Sequence, residues 1–426
     1  MIAHDVKEIH EKRDSMPHRH IGLDIHRDRI YVTELSLLGG SVKQYEISTR
    51  EKELEAFLGT LQPGDQVALE ATRGSSYYVG RLSTLVSSVS VANPGKMKLF
   101  NPNAKNDRND SLNLAIQLAA GILPTVWIPD RETQEDRRLL HYRNTLIQEQ
   151  TRLKNRVRAL LAEHGFIWDG SDIQSDGFQR FLFKLKTRLS GASGEVLAHQ
   201  MEQLDALEER LHRIDAVIVV RAQRWPEIDL LMTIRGVNVL TAFTILAQIG
   251  RIDRFETADS LTNYAGLVPR QRSSAGKSRN GSITKAGSKM LRWALTEAVQ
   301  NLCKVDGPYR NLCKRLDRKN KGKGIAATAC ARKLLKAIWC MLTRKEGFRY
   351  AEPALVQDKA RRRERQLKAA LPFVEEQKKR QHLVIQSHAA LLLGLASTGK
   401  KIPLPRPLLG SFGRRPLPEM AAAASG

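Results

Sequence analysis

The segment from His20 to Ala92 restricts the fold more than any other part of the chain. IGLDIH, RIYVTELS and SVKQYEIS are short, rich in β-branched residues and separated by turn-like breaks, with Gly39-Gly40 before the third. They are predicted as three successive strands, the first two joined by a tight hairpin at Arg27-Asp28-Arg29. EKELEAFLGTL has apolar residues at helical spacing and is predicted as a helix. QVALEAT reads as a fourth strand, a helix follows around Tyr77 to Val86, and SSVSVANP is a fifth strand closed by Pro94. A further helix is expected from Asp110 through Ala120.

Three antiparallel strands followed by alternating helices and strands is the order of a ribonuclease-H-like α/β domain. On that scheme Asp24 lies on the first strand and Glu70 at the end of the fourth. Asp107 and Asp110 stand three apart at a helix start and so share a face. Four carboxylates brought together repel unless a cation neutralises them, and hard oxygen ligands select Mg²⁺ or Mn²⁺. Paired metals stabilise both the attacking and the leaving oxygen of a phosphodiester. The plainer alternative is that Asp110 caps a helix and Asp24 caps a turn.

Charge names a partner for such a site. The 426 residues carry a net charge of +24, an excess that attracts polyanions, of which nucleic acid is the commonest. A solubilising surface is the competing explanation. Between residues 270 and 349 there are 21 Lys or Arg against four acids, Glu297, Asp306, Asp317 and Glu346. Within this region Ser273, Ser274, Ser278 and Ser282 are interleaved with Arg270, Arg272, Lys277, Arg279 and Lys285, and Arg292 follows. Cations beside a hydroxyl favour attack on a phosphate or binding of one. A flexible basic loop touching the nucleic-acid backbone has the same composition.

Between these two constellations lies a different kind of sequence. Leu139, Leu146, Leu153 and Leu160 recur every seven residues, as do Leu197, Leu204, Leu211 and Ile218, with Leu207 and Ile214 in the second heptad position. Two long helices packed as a coiled coil are expected, with a loop-like break from about Gly165 to Gly194 and dimerisation as the favoured role. After Pro226, LMTIRGVNVLTAFTILAQIG resembles a helix-hairpin-helix, a motif that presents backbone N–H groups to a phosphate. Cys303, Cys313, Cys330 and Cys340 form no C-x-x-C pair, so no zinc finger or ribbon is indicated and a reducing compartment fits. The N-terminus has no apolar signal core, and no run of about 18 apolar residues exists to span a membrane. The expected architecture is therefore α/β plus α. It comprises a flexible segment 1–18, a catalytic domain 19–128, a coiled-coil hairpin 129–225, a mostly helical C-terminal domain 226–348 and a basic, partly disordered tail 349–426. Residues 355–385 of that tail are compatible with a solvent-exposed helix.

HIGLDIHRD, VALEATRGSSYY, NAKNDRNDS, the LMTIRGVNVLTAFTILAQIG block and YAGLVPRQRSSAGKSRNGSITKAGSKMLRWAL occur in that order over residues 20 to 345. In these motifs the chain resembles the DEDD-type insertion-sequence transposases, a group that includes the Piv and MooV DNA invertases and bridge-RNA-guided recombinases. The resemblance implies a RuvC-like catalytic domain in which Asp24, Glu70, Asp107 and Asp110 are the metal ligands. It implies that Ser273 or Ser274 is a nucleophile forming a transient phosphoserine link to DNA. It also implies a structured guide RNA, donor and target DNA, and a tetramer in which one subunit's acids complete a site with another's serine; the expected partner is thus a homo-oligomer, dimer or tetramer. The setting would be prokaryotic, cytoplasmic and nucleoid-associated. The sequence departs from the family pattern at Arg73, at His26-Arg27 where a lysine is usual, and at Ala275 where a glycine is usual. The alternatives are a Mg²⁺-dependent nuclease of the Holliday-junction type, with water as nucleophile, and a non-catalytic nucleic-acid-binding protein.

Overall fold

A computed structural model describes residues 19–392, apart from 37–38, 73, 98–105, 171, 186–188, 190, 275–276 and 319–322; the side chains of 271–280, 323 and 380–392 also lie outside it. The expectations for residues 1–18, for Arg73 and for the tail from 393 therefore fall outside the described residues. The chain forms two compact units, 1–130 and 131–426.

The first unit is built on a sheet of β1 (His20–Ile25), β2 (Arg29–Ser36), β3 (Ser41–Ser48), β4 (Gln66–Glu70) and β5 (Ser88–Ala92). Its order is β3-β2-β1-β4-β5. β1, β2 and β3 pair antiparallel, whereas β4 joins β1, and β5 joins β4, in parallel. The parallel pairs need crossovers, which α1 (Glu51–Leu58) and α2 (Ser75–Leu82) supply. Strand alternation then assigns the two faces. Ile21, Leu23, Ile30, Val32, Val67 and Leu69 pack with Leu54, Phe57, Leu58 and Leu82 of these helices on one side. After the short helix α3 (Pro94–Met97), the other face is covered by α4 (Asp107–Ala119).

The residues beneath α4 explain how closely it lies. Gln44, Thr33, Gly22 and Ala68 are cross-strand neighbours in one row running from β3 to β4. A Cβ on Gly22 would stand 2.0 Å from the Ser111 carbonyl oxygen and 2.8 Å from the Ala115 nitrogen. Only a glycine permits this approach of helix backbone to strand. The flanking polar residues then fix the helix. Thr33 Oγ1 and Ser111 Oγ are 2.8 Å apart, and Gln44 Nε2 donates to Thr33 Oγ1 at 3.1 Å and to the Arg108 carbonyl at 3.0 Å. Asn106 caps α4, its side chain accepting from the Arg108 N–H. The N-cap is thus one turn earlier than the Asp110 cap considered above, and both aspartates lie inside the first turn.

The second unit begins with α5 (Arg131–Glu163), α6 (Asp176–Leu185) and α7 (Ala192–Arg221). Arg143 with Asp215 and Arg221 with Asp136 run the two long helices antiparallel. Their buried seam differs from the simple seven-residue series. Leu146 and Leu153 are buried, but so are Leu140, Val157 and Leu161, while Leu139 and Leu160 are only half-buried. A helix of 3.6 residues per turn drifts off a 3.5-residue repeat over this length. The seam residues pack against each other within one chain. The expected loop at 165–194 contains α6, because Phe178, Phe181, Leu182 and Leu185 fall on one helical face and join Trp168 and Ile173 in the core between the long helices.

Next come α8 (Glu227–Met232), α9 (Val239–Ile249) and α10 (Ala258–Tyr264), then a hairpin of β6 (Pro269–Ser274) and β7 (Lys277–Ile283). α11 (Lys289–Leu302), α12 (Pro308–Asp317), α13 (Lys323–Arg344) and α14 (Pro353–Leu392) complete the described residues. Leu140 and Ile218 of the long helices, and Ala222 just past the second, belong to the same core as α8 to α13, so the boundary expected near 225 does not separate two cores. α14 is docked rather than free. Lys359 Nζ donates to the carbonyls of Met232 and Ile234 at 2.8 and 2.6 Å, Arg363 pairs with Asp229, and Ala370 and Val374 are buried. No helix among the described residues is long and apolar enough to cross a membrane.

Gly22→Ala should destabilise the first unit by about 1–3 kcal/mol, because the clash is with helix backbone that cannot rotate aside. Urea denaturation measures this; a change below about 0.5 kcal/mol, the range of an ordinary surface substitution, would contradict the close packing.

Candidate active site

Asp24 lies two residues beyond Gly22 on β1, so it faces α4 as Gly22 does. Glu70 ends β4, one residue past the Leu23–Leu69 pair, and shares that face with Ala68. Asp107 opens α4 and Asp110 follows on its first turn. The C-terminal ends of two neighbouring parallel strands and the N-terminus of the helix above them thus carry all four acids. A helix N-terminus carries partial positive charge, which favours carboxylates there.

The closest group within this set is Asp24, His26 and Asp107, whose ligand-capable atoms all lie within 4.8 Å of one another. His26 Nε2 is 3.1 Å from Asp24 Oδ2 and 3.5 Å from Asp107 Oδ1. The imidazole stands edge-on to Tyr31, and the turn that carries it is closed by the His26 N–H to the Arg29 carbonyl at 2.9 Å. Glu70 and Asp110 are outside this closest group. Asp110 is near enough for its charge to act on Asp24.

Asp24 is 7 % exposed, whereas the Asp107 side chain is 47 % exposed. Burial raises the Asp24 carboxyl above its ordinary range; His26 pulls it down, and the charges of Asp107 and Asp110 push it up again. Desolvation plus like charges is the condition a divalent cation relieves. Carboxylate oxygens on a backbone framework fit a hard ion, and an imidazole nitrogen at the rim also suits Mn²⁺. His26 was noted in the sequence only as a departure from a family pattern. Its position two residues after a buried strand aspartate was the available signal, but only the turn geometry brings its ring back onto Asp24.

The serine segment occupies the β6–β7 hairpin. Ser273 pairs with Ser278 and Ser274 with Lys277, next to the connecting residues 275–276, which lie outside the described residues. The side chains of Ser273, Ser274, Arg272, Lys277 and Arg279 likewise lie outside the described set, so the choice between the serines stays open. At the base, Gly266 and Gly287 have φ of +67° and +74°, and a Cβ on either would meet backbone at 2.1 and 1.9 Å. Arg292 Nη1 donates to the carbonyls of Ala265, Ala286 and Gly287 at 3.0, 2.9 and 3.2 Å. Through Nη1 this guanidinium, expected to bind nucleic acid, ties the two ends of the hairpin together. Arg270 and Lys285 are exposed beside it.

The helix-hairpin-helix-like stretch is the turn between α8 and α9. Gly236 has φ +83°, and Asn238 caps α9 by accepting from the Thr241 N–H at 2.8 Å. One of the N–H groups available to a phosphate therefore already has a partner.

Two family models match the chain. A DEDD-type IS110 family model, described as "Transposase", matches residues 21–166. A second, described as "Transposase IS116/IS110/IS902 family", matches residues 228–313. The chain is 26 % identical over 366 residues to the transposase for insertion sequence element IS1111A of Coxiella burnetii, covering 82 % of this chain and 96 % of that protein. It is 26 % identical to the transposase for insertion sequence element IS1328 of Yersinia enterocolitica, covering 77 % of this chain and 98 % of that one. Similarity to the pilin gene-inverting protein of Moraxella bovis is 28 % over 181 residues, 41 % of this chain and 56 % of the relative.

The raised Asp24 carboxyl has a consequence for stability. Its folded-state affinity for a proton exceeds the unfolded one, so ionised Asp24 costs stability at neutral pH, and the cost vanishes as pH falls below the ordinary value near 3.8. In chelator, Asp24→Asn should raise the melting temperature at pH 7 by a few degrees, with the advantage shrinking toward zero through the carboxylate range. Thermal melts from pH 3.5 to 7.5 read this; a variant less stable at neutral pH would show that the His26 contact outweighs desolvation.

Proposed function

Since the chain belongs to the IS110/IS116-type DEDD transposases, a family of insertion-sequence transposases that extends to pilin gene-inverting proteins, we propose that it recombines DNA by metal-dependent strand cleavage and exchange through a transient phosphoserine link. The observation that carries this reading is the convergence of Asp24, His26 and Asp107 within 4.8 Å, with Glu70 and Asp110 on the same face of the sheet. The 3-2-1-4-5 strand order, with three antiparallel strands and two parallel ones, supports reading the first unit as a ribonuclease-H-like fold of the RuvC type.

In this reading Asp24, Glu70, Asp107 and Asp110 hold Mg²⁺ or Mn²⁺. The ion would supply charge neutralisation on the phosphate oxygens. Asp24, buried on β1, fixes the position of the site. Asp107, exposed on α4, faces incoming DNA. His26 offsets part of the burial cost of the Asp24 carboxylate and orients it through the 3.1 Å contact. The hydroxyl of Ser273 or Ser274 attacks the phosphorus and displaces a sugar oxygen, which leaves as a hydroxyl with the serine's proton, so that the DNA end is esterified to the protein. Arg270, Arg272, Lys277, Arg279 and Lys285 on and beside the hairpin neutralise the phosphates around that serine, and Arg292 holds the hairpin's base. Donor and target DNA are the substrates, and a structured guide RNA and a homo-oligomer are the proposed partners. The net charge of +24 supports a large polyanionic cargo.

Cleavage of DNA carrying the element ends should require Mg²⁺ or Mn²⁺, and Asp24→Ala should lower its rate by more than about 100-fold while leaving DNA binding within a few-fold. Equal rates in chelator would remove the metal from the reaction. Denaturing gels should show a protein–DNA adduct whose phosphoserine peptide maps to residue 273 or 274, and it should be lost in the corresponding alanine variant. Cleavage without any adduct would favour a water nucleophile and the nuclease reading.

A further inference from the structure

The four cysteines have no metal-binding spacing in the sequence, with nine residues between Cys303 and Cys313 and sixteen between Cys313 and Cys330. The fold nevertheless brings three of them together. Cys303 is the C-cap of α11, Cys313 lies in α12, and Cys330 is on α13. Cys303 Sγ and Cys313 Sγ are 2.6 Å apart, Cys313 Sγ and Cys330 Sγ 3.3 Å, and all three sulfurs fall within 4.8 Å of one another. The Tyr309 carbonyl oxygen lies 3.8 Å from Cys303 Sγ and 3.7 Å from Cys330 Sγ, a fourth donor beside the sulfur triangle.

We propose that Cys303, Cys313 and Cys330 form a structural site for a thiophilic d¹⁰ cation, with Zn²⁺ as the ion that best fits three thiolates and one oxygen. This site is independent of the carboxylate centre and of the recombination reading. A tetrahedral zinc with Zn–S bonds of about 2.3 Å needs its sulfurs about 3.8 Å apart. The triangle reaches that by spreading its two short sides, which small side-chain rotations on three helices allow. Binding converts three thiols and a Zn²⁺ into one Zn(S-Cys)₃ group with release of three protons. The product carries one negative charge, and the surroundings are basic: Lys304, Lys314 and Arg315 adjoin the ligands in sequence, and Lys333 Nζ stands 5.6 Å from the Tyr309 ring centre. Soft sulfur donors reject Mg²⁺, so the two centres take different ions.

Access and purpose are both provided. Cys330 is fully buried, but Cys303 and Cys313 are only half-buried, so an ion can enter from their side. The site would tie α11, α12 and α13 together where they continue the core of the second unit. α11 is also the helix whose Arg292 clamps the serine hairpin, so a metal at its C-terminal end would steady the element that holds the hairpin at its other end.

The test is titration of the reduced full-length protein with Co²⁺ alone, followed by displacement with Zn²⁺. A thiolate-to-metal charge-transfer band should appear, saturate at one equivalent and disappear on adding Zn²⁺. Co²⁺ held by carboxylates gives no such band, so the acidic site cannot mimic it. Cys303→Ser and Cys313→Ser should each weaken binding by more than about 100-fold, since losing even an outer-shell partner costs 10–100-fold, whereas Cys340→Ser should bind as the parent does. The half-buried positions are used so that circular dichroism can verify folding. Absence of the band in folded reduced protein, or its persistence in both variants, overturns the site. A Cys303–Cys313 disulfide in protein prepared without reductant, combined with no band in reduced protein, would identify the cluster as a redox pair instead.

Discussion

The contact on which the first unit depends is the approach of α4 to β1 at Gly22. A helix normally rides on a sheet across a layer of side chains. Here backbone meets backbone, and the row Gln44–Thr33–Gly22–Ala68 supplies small or hydrogen-bonding residues where α4 crosses. The Thr33–Ser111 and Gln44–Arg108 bonds then remove the freedom to slide. Because a helix is rigid over its first turns, fixing Ser111 also fixes Asp107 and Asp110. Asp24, two residues past the glycine, is held on the same face. A packing constraint is thereby converted into a chemical one: acids distant in sequence share a small volume.

The same conversion costs stability. Burial, with the charges of Asp107 and Asp110 added, drives the Asp24 carboxyl up, and His26 offsets part of this. No other buried carboxylate among the described residues is in that position. Asp65 and Asp136 are more deeply buried, but Arg19 grips the first with two nitrogens, at 3.1 and 2.6 Å, and Arg221 and Trp225 grip the second. Those two are structural ion pairs; among the described residues no arginine pairs with Asp24, whose neighbours are His26 and the acids Asp107 and Asp110.

The second unit uses the opposite strategy, a continuous apolar core with charged groups enlisted as clamps. Arg292 on three carbonyls, Lys359 on two and Arg137 on the Ala247 and Gln248 carbonyls all satisfy backbone at turns and helix ends. High positive charge in this unit therefore has two meanings. Some cations, such as Arg270 and Lys285, are exposed, while others are internal fasteners, and composition cannot separate them. Arg292 is the clear instance: by sequence it belongs to the basic cluster, and by contact it belongs to the scaffold. The heptad leucines follow the same logic, since their seam is closed within one chain and extended by Phe178 and Trp168 from a segment that reads as a loop.

By itself, the sequence determined the strands and helices of the first unit, the order in which they occur, the four acids and the basic serine segment. Those are local properties: alternation, β-branching, helical spacing and charge density are written in consecutive residues. Only the tertiary structure decided that His26 turns back onto Asp24, that the serine segment is a β-hairpin, that α14 docks as a helix, and that three cysteines with no recognisable spacing meet beside the Tyr309 carbonyl. Each of these is set by where separate elements cross. The crossing of α11, α12 and α13 is fixed by buried side chains such as Leu302, Tyr309 and Leu334, whose partners lie tens of residues away and leave no periodic trace in the chain.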